Sequence, residues 1–348
     1  MMGKRILVAP LNWGLGHATR CVPVVHELIL QGFEVVLASD GLALDYLAKE
    51  FPKLEKHQLA PLHLTYAKKK YWQAAHIFFQ IPKLYRFIAQ DQIALKSLLQ
   101  RIQVDGIISD CRPGVFMKAI PSVYINHQLN VLTGITTQLS SYLHHQLMNN
   151  FDEIWVPDYK QEPNLSGILG HLKQENRCPP IRYLGWLNRM QPHKVAIKYD
   201  YCAVLSGPEP QRSIFEGKIE KLFDQLQGKK ICITGKQTPT RSRGGVTYVG
   251  MLNAEELNQV ICASGVVICR SGYTSIMDLV CLQKPALLVP TPGQPEQEYL
   301  AKRMMKMNWF LSCHQNDLVK SGTDGLKGIH LTKLPKYVST SFNFSVFH

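Results

Sequence analysis

The 348-residue chain has no C-x-x-C pair, no Asp-x-Asp and no apolar run long enough to cross a bilayer. Each absence removes a class. Nine cysteines, from Cys21 to Cys313, are odd in number and scattered, which argues against a disulfide framework or a zinc site and for reduced thiols in a cytoplasm. Asp-x-Asp is the acidic pair that holds a divalent ion against a diphosphate. Without it, charge on a departing phosphate must be met by backbone N–H groups, a helix dipole or arginines. The opening MMGKRILVAP is basic, but its apolar run is too short for a signal peptide. The expectation is a soluble chain, or one that sits on a membrane without crossing it.

Acidic residues are scarce too. Twenty-six Asp and Glu face 39 Lys and Arg, giving a formal charge of +13 and a pI near 9.3, which favours anionic partners. Residues 56–90 contain no acid at all, while Lys56, Lys68, Lys69, Lys70, Lys83 and Arg86 are interleaved with Tyr66, Tyr71, Trp72, Phe78, Phe79, Tyr85 and Phe87. That mixture suits the headgroup zone of an anionic membrane. It also suits stacking on single-stranded nucleic acid, or a helical pair whose rings fill a core. No other segment resembles a nucleic-acid module, so the expectation is a peripheral membrane surface or a lipid-linked acceptor.

What is present is α/β patterning in two series. RILVAP (5–10) and EVVLAS (34–39) flank a helix-compatible stretch and make a βαβ unit, followed by GIISD (106–110) and SVYIN (122–126). YCAVLSG (201–207), KKICITG (229–235), VTYVG (246–250), GVVICRSG (265–272) and PALLVP (285–290) repeat the style, with a helix over 212–227. Two Rossmann-like domains facing a central cleft are expected, 1–188 and 198–318. Residues 319–348 lose helical periodicity and read as a tail, either loosely ordered or packed back on the first domain.

Parallel sheets bind ligands at the carboxyl ends of their strands. At the first such end stands VAPLNWGLGHATR, with Gly14, Gly16 and His17; a third glycine is missing because Thr19 occupies its place. Asp40, ending the second strand, keeps a dinucleotide reading open. Asp110 ends one strand, and Asn126, His127 and Gln128 end the next, so all four can reach the edge where His17 stands; Asp110 is suited to hold the second nitrogen of a catalytic imidazole. In the second series ICRSGYTSIMD sets a glycine turn before a helix whose N-terminus can take a phosphate. Asp278 lies one to two turns inside that helix, and Glu296 and Gln297 open another, where an acid and an amide can bind sugar hydroxyls.

GLGHATR together with ICRSGYTSIMDLVCLQKPALLVPTPGQPEQEYLA resembles the two-domain GT-B glycosyltransferases of family 28, the group typified by the UDP-N-acetylglucosamine transferase that makes lipid II. The resemblance spans most of 5–307 and is strongest over 265–301. It implies that Gly14, Gly16 and His17 face the cleft and that Ser206 and Gly207 lie near the donor phosphates. It also implies that Arg270, Ser271 and Gly272 form the diphosphate turn, that Asp278 takes the place of a ribose-binding Glu, and that Glu296 and Gln297 hold the donor sugar. The loop SGPEPQR departs from the family: Pro208 and Pro210 remove two backbone donors, and Arg212 can restore charge.

The resulting expectation is an inverting, metal-independent transfer from a UDP-sugar to a lipid-linked or other glycan acceptor, with no cofactor. His17 acts as base and Asp110 orients it, on the cytoplasmic face of a membrane. A nucleotide-sugar hydrolase or epimerase, or a non-catalytic nucleotide-sugar-binding protein, uses the same donor motifs and stays open on sequence alone.

Overall fold

The computed structural model describes residues 3–61, 73–133, 136–172, 178–207, 209–327, 334–336 and 342–348, with residues 73–81 and 321 by backbone only. It divides into Met1–Leu187 with Val338–His348, and Asn188–Tyr337.

The first unit is built on β1 (Arg5–Pro10), β2 (Glu34–Ser39), β3 (Glu55–Gln58), β4 (Gly106–Asp110), β5 (Ser122–Ile125), β6 (Glu153–Val156) and β7 (Ile181–Tyr183). They form one parallel sheet in the order β3-β2-β1-β4-β5-β6-β7. The helices are α1 (Gly16–Leu30), α2 (Gly41–Glu50), α3 (Gln73–Leu99) and α4 (Thr137–Met148). β1, β2 and β4 are near-continuous apolar runs because helices cover the sheet. Leu7, Ala9, Val36 and Ile107 pack with Leu95 and Leu98 of α3.

Residues 342–348 close the amino-terminal edge of this sheet. Phe344 and Phe347 are buried against Trp155, and Phe344 also meets Phe33. Lys4 Nζ donates to the Phe347 carbonyl at 2.6 Å. Position 106 is glycine for a packing reason: a Cβ there would overlap the Phe347 ring and the Ile6 side chain.

The second unit has β8 (Tyr199–Val204), β9 (Lys230–Ile233), β10 (Arg241–Arg243), β11 (Val246–Val249), β12 (Ser264–Cys269), β13 (Ala286–Leu288) and β14 (Leu311–Ser312) in the order β10-β11-β9-β8-β12-β13-β14. All pairs are parallel except the β10–β11 hairpin. Its helices are α5 (Gln211–Gln225), α6 (Ala254–Cys262), α7 (Tyr273–Cys281), α8 (Pro295–Lys306) and α9 (Leu318–Lys327).

α9 corrects the expectation that periodicity ends at 319. Leu318 and Leu326 are buried and Gly322 faces Leu222 of α5, a spacing of four that makes one helix face. The two leucines carry that face alone among Gly, Ser and Lys, so the apolar period is too sparse to read. Among the described residues no helix is long and apolar enough to cross a membrane.

Candidate functional site

The winding of the first sheet reverses between β1 and β4, the place where open α/β sheets take their ligands. After β1 the chain turns through Gly14, at φ +76, and enters α1 at Gly16. His17 and Arg20 follow three residues apart, on one helix face. Asp110 ends β4; because Ile107 packs toward α3, strand alternation turns Asp110 to the opposite face, toward α1.

His17 Nδ1 lies 2.7 Å from Asp110 Oδ1, and Asp110 is wholly buried. A carboxylate only accepts, so the proton of this bond sits on Nδ1 and Nε2 keeps the lone pair. Arg20 forks the same carboxylate, Nε donating to Oδ2 and Nη2 to Oδ1. Its Nη1 meets His127 Nδ1 at 2.7 Å, and its Nη2 meets Cys111 Sγ at 3.2 Å. Burial opposes ionisation of Asp110, but the Arg20 charge and the His17 hydrogen bond outweigh it and hold the carboxyl below its ordinary value. Burial also works against the charge on Arg20, which Asp110 more than restores.

His17, Asp110 and Cys111 bring ligand-type atoms within 4.8 Å of one another. Arg20 is already bonded to the carboxylate and the sulfur, so the cation of this cluster is a guanidinium. Asn126 donates to His144 Nε2 at 2.7 Å and to the Gln128 carbonyl at 3.0 Å, while its Oδ1 accepts from the Gln128 N–H. Burial, with His145 beside it, pushes His144 down to about 4, so its ring is the neutral acceptor of that bond. Asp40 does not await a ribose: Arg112 Nη1 donates to its Oδ1 at 2.7 Å and Asn12 to its Oδ2 at 2.9 Å. That removes the acid on which the dinucleotide reading rested.

In the second unit the reversal falls between β8 and β12. Ser206 and Gly207, the latter at φ +96, leave β8. Arg270, Ser271 and Gly272 leave β12, and Gly272 caps α7 in open space, with nothing near its missing Cβ. The Ser271 hydroxyl donates to the Gln297 carbonyl at 2.9 Å, and Gln297 Oε1 accepts from the Thr291 N–H at 2.8 Å. The turn is thereby tied to the first turn of α8, where Glu296 also stands.

Two arginines correct their expected roles. Arg270 does not extend toward an anion: it is buried over the Phe215 ring, 4.1 Å from the centroid, and donates to the carbonyls of Val289 and Gln211 and to Gln315 Oε1. Val266, Ile268 and Arg270 alternate on one strand face, and α5 covers that face. Burial without a carboxylate partner lowers Arg270 to about 9. Arg212 is held by Glu209, 3.0 Å from Nη2 to Oε1. Asp278 is buried inside α7; its Oδ2 accepts from Arg189 at 3.1 Å while Oδ1 has no partner. Burial raises its carboxyl, and Arg189 offsets this only in part.

Most of the basic aromatic stretch lies outside the described residues: Tyr66, Lys68, Lys69, Lys70, Tyr71 and Trp72 entirely, and Phe78 and Phe79 in their side chains. Of its described part, Lys83, Tyr85 and Arg86 are exposed, Lys56 Nζ donates to the Pro52 carbonyl, and Phe87 is buried beneath Arg112.

Residues 219–329 match the glycosyltransferase family 28 C-terminal domain. An uncharacterized glycosyltransferase of Methanopyrus kandleri is 24% identical over 298 residues, 80% of this chain and 83% of the relative. The UDP-N-acetylglucosamine–N-acetylmuramyl-(pentapeptide) pyrophosphoryl-undecaprenol N-acetylglucosamine transferase of Clostridium tetani is 23% identical over 321 residues, 88% of this chain and 84% of that one. Among solved structures, the spinosyn rhamnosyltransferase SpnG superposes with a TM-score of 0.64 at 14% identity, over 93% of this chain and 91% of its own. The chain has the GT-B fold, and its second unit is similar to the family 28 C-terminal domain. SpnG has also been solved with thymidine diphosphate and with spinosyn aglycone.

Two residues of these sites escape sequence reasoning. Arg20 reads as an ordinary helix residue, its only signal being the spacing of three from His17. Arg189 reads as part of the loop-like stretch after the first series, with nothing to tie it to Asp278 far along the chain.

Proposed function

We propose that the protein moves a sugar from a UDP-sugar to an acceptor hydroxyl, with inversion and without a metal. His17 Nε2 takes the proton of the acceptor O–H while that oxygen forms its bond to the anomeric carbon. The bond from that carbon to the diphosphate breaks, and its electron pair leaves with the UDP. Asp110 holds the Nδ1 proton and steadies the imidazolium that forms.

The observation that carries this reading is the 2.7 Å contact of His17 Nδ1 with Asp110, which presents Nε2 as the accepting nitrogen. On the donor side, the N-terminus of α7 and the Ser271–Gly272 turn offer N–H groups and a dipole to the diphosphate. Asp278 Oδ1 is suited to accept from a ribose hydroxyl, and Glu296 and Gln297 to bind the sugar. The name of the Clostridium tetani relative and the diphosphate complex of SpnG support a nucleoside-diphosphate donor. The exposed Lys83, Tyr85 and Arg86 support contact with an anionic membrane and a lipid-linked acceptor, on the cytoplasmic face.

A nucleotide-sugar panel scored for thermal stabilisation and for turnover tests the reading. UDP and one UDP-sugar should raise the melting temperature and NAD should not; the reverse pattern would sink it. His17→Ala should keep the UDP-induced rise and lose about 10²- to 10⁴-fold in turnover, unaffected in either protein by EDTA.

A further inference from the structure

We infer that Arg20 is the positioning residue of the first unit's site, a single guanidinium that sets the tautomer of His127 while it holds, and offsets the charge of, the Asp110 carboxylate that sets the opposite tautomer on His17. The inference rests on the reading of His17 as base, but the geometry that carries it does not depend on any substrate.

Arg20 is buried and three of its nitrogens act at once: Nε and Nη2 fork Asp110, and Nη1 reaches His127 Nδ1 at 2.7 Å. Nη2 also lies 3.0 Å from His17 Nδ1, but its two hydrogens go to Asp110 Oδ1 and Cys111 Sγ, and the shorter 2.7 Å contact of His17 Nδ1 with the carboxylate requires the proton on Nδ1. A guanidinium only donates. His127 Nδ1 must therefore accept, and the ring proton of neutral His127 sits on Nε2. Asp110, which only accepts, demands the reverse of His17, with the proton on Nδ1. One imidazole is thus set to take a proton at Nε2 and the other carries one there.

The second consequence is electrostatic. An unaccompanied buried carboxylate beside His17 would favour the imidazolium and remove the base. With Arg20 bidentate on Asp110, His17 faces a neutral pair. The other groups packed on this carboxylate are Cys21, whose thiol donates to Oδ2 at 3.7 Å, Cys111 beside Arg20, and Tyr124 of β5. Burial raises both Cys21 and Tyr124, so neither brings a negative charge. Arg20 is the permanent positive charge bonded to Asp110.

The test is long-range ¹H–¹⁵N spectroscopy of the full chain labelled at histidine, with His17 and His127 assigned from His17→Gln and His127→Gln. In the wild type, His17 should show the Nδ1-H tautomer and His127 the Nε2-H tautomer. In Arg20→Gln, His127 should lose its single tautomer. Arg20→Lys keeps the charge but not the three-way reach, so it should release His127 while leaving His17 in its Nδ1-H tautomer. Arg20→Lys also serves where Arg20→Gln does not fold.

A wild-type His127 carrying its proton on Nδ1 would overturn the inference. So would a His127 that keeps its single tautomer in folded Arg20→Gln, or Arg20→Lys behaving as wild type at His127. Full turnover in His17→Ala overturns the base reading instead, and leaves the tautomers as measured.

Discussion

Asp110 in the first unit accepts from Arg20 on both oxygens and from His17 on one; Asp278 in the second accepts from Arg189 on one oxygen and keeps the other buried without a partner. Both are buried carboxylates beside the switch point of a parallel sheet, yet their carboxyls shift in opposite directions, down for Asp110 and up for Asp278. The arginines follow the same division: Arg20 has a carboxylate, whereas Arg270 has only carbonyls, an amide and an aromatic face. The first site is internally satisfied and fixes geometry. The second holds a buried guanidinium with no carboxylate partner and, on Asp278, a buried acceptor with no donor among the described residues.

The sharpest way to break this contrast is Asp110→Asn. It leaves Arg20 buried without its counter-ion and should cost about 3–5 kcal/mol of stability, read by denaturant unfolding; a loss under about 1 kcal/mol would show that the fork contributes no more than a surface pair.

The pH dependence separates the two carboxylates next. The lowered carboxyl of Asp110 stabilises the fold above the ordinary carboxylate value of about 4 and loses that contribution as pH falls through its lower native value. The raised carboxyl of Asp278 does the opposite: its relative stabilisation is present below about pH 4 and is lost as pH rises through the raised native value. The melting-temperature deficit of Asp110→Asn should therefore be widest at neutral pH and close in acid, while Asp278→Asn should gain on wild type as pH rises. Gaps that stay constant from about pH 3 to 7 would contradict both directions.

Asp278→Asn gives a smaller effect on stability, about 1–3 kcal/mol, because an amide oxygen still accepts from Arg189 and one buried charge disappears, although the mostly buried guanidinium loses its counter-ion. Its UDP affinity, by calorimetry, should nonetheless fall about tenfold, since an amide oxygen is a weaker acceptor for a ribose hydroxyl than a carboxylate. Unchanged affinity would detach Asp278 from the donor.

Much of this is legible in the sequence. The central strands are uniform apolar runs, and their ends carry His17, Asp110, Asn126 and the CRSG turn. β3, with the sequence EKHQ, was not legible because an edge strand needs no apolar face. β6 and β7 were missed because three or four residues are too few to establish a period. Arg270 belongs to the diphosphate turn that the family resemblance implies, but continuing the alternation of Val266 and Ile268 points it into the core. Arg20 needed the fold itself: its spacing from His17 is in the sequence, but the meeting with Asp110, 90 positions away, is made by the parallel register of β1 and β4.

The return of residues 342–348 to the first sheet makes the second unit an insertion in the chain of the first. A stop codon just after Tyr337 would spare every residue of the second unit and yet act as a core mutation of the first, emptying the space beside Gly106 and baring Trp155 and Phe33. The unit that carries His17 is therefore complete only once residues 342–348 have been synthesised. A circular permutant opened between the units, with those residues rejoined to Lys4 by a short linker, would be its natural minimal form.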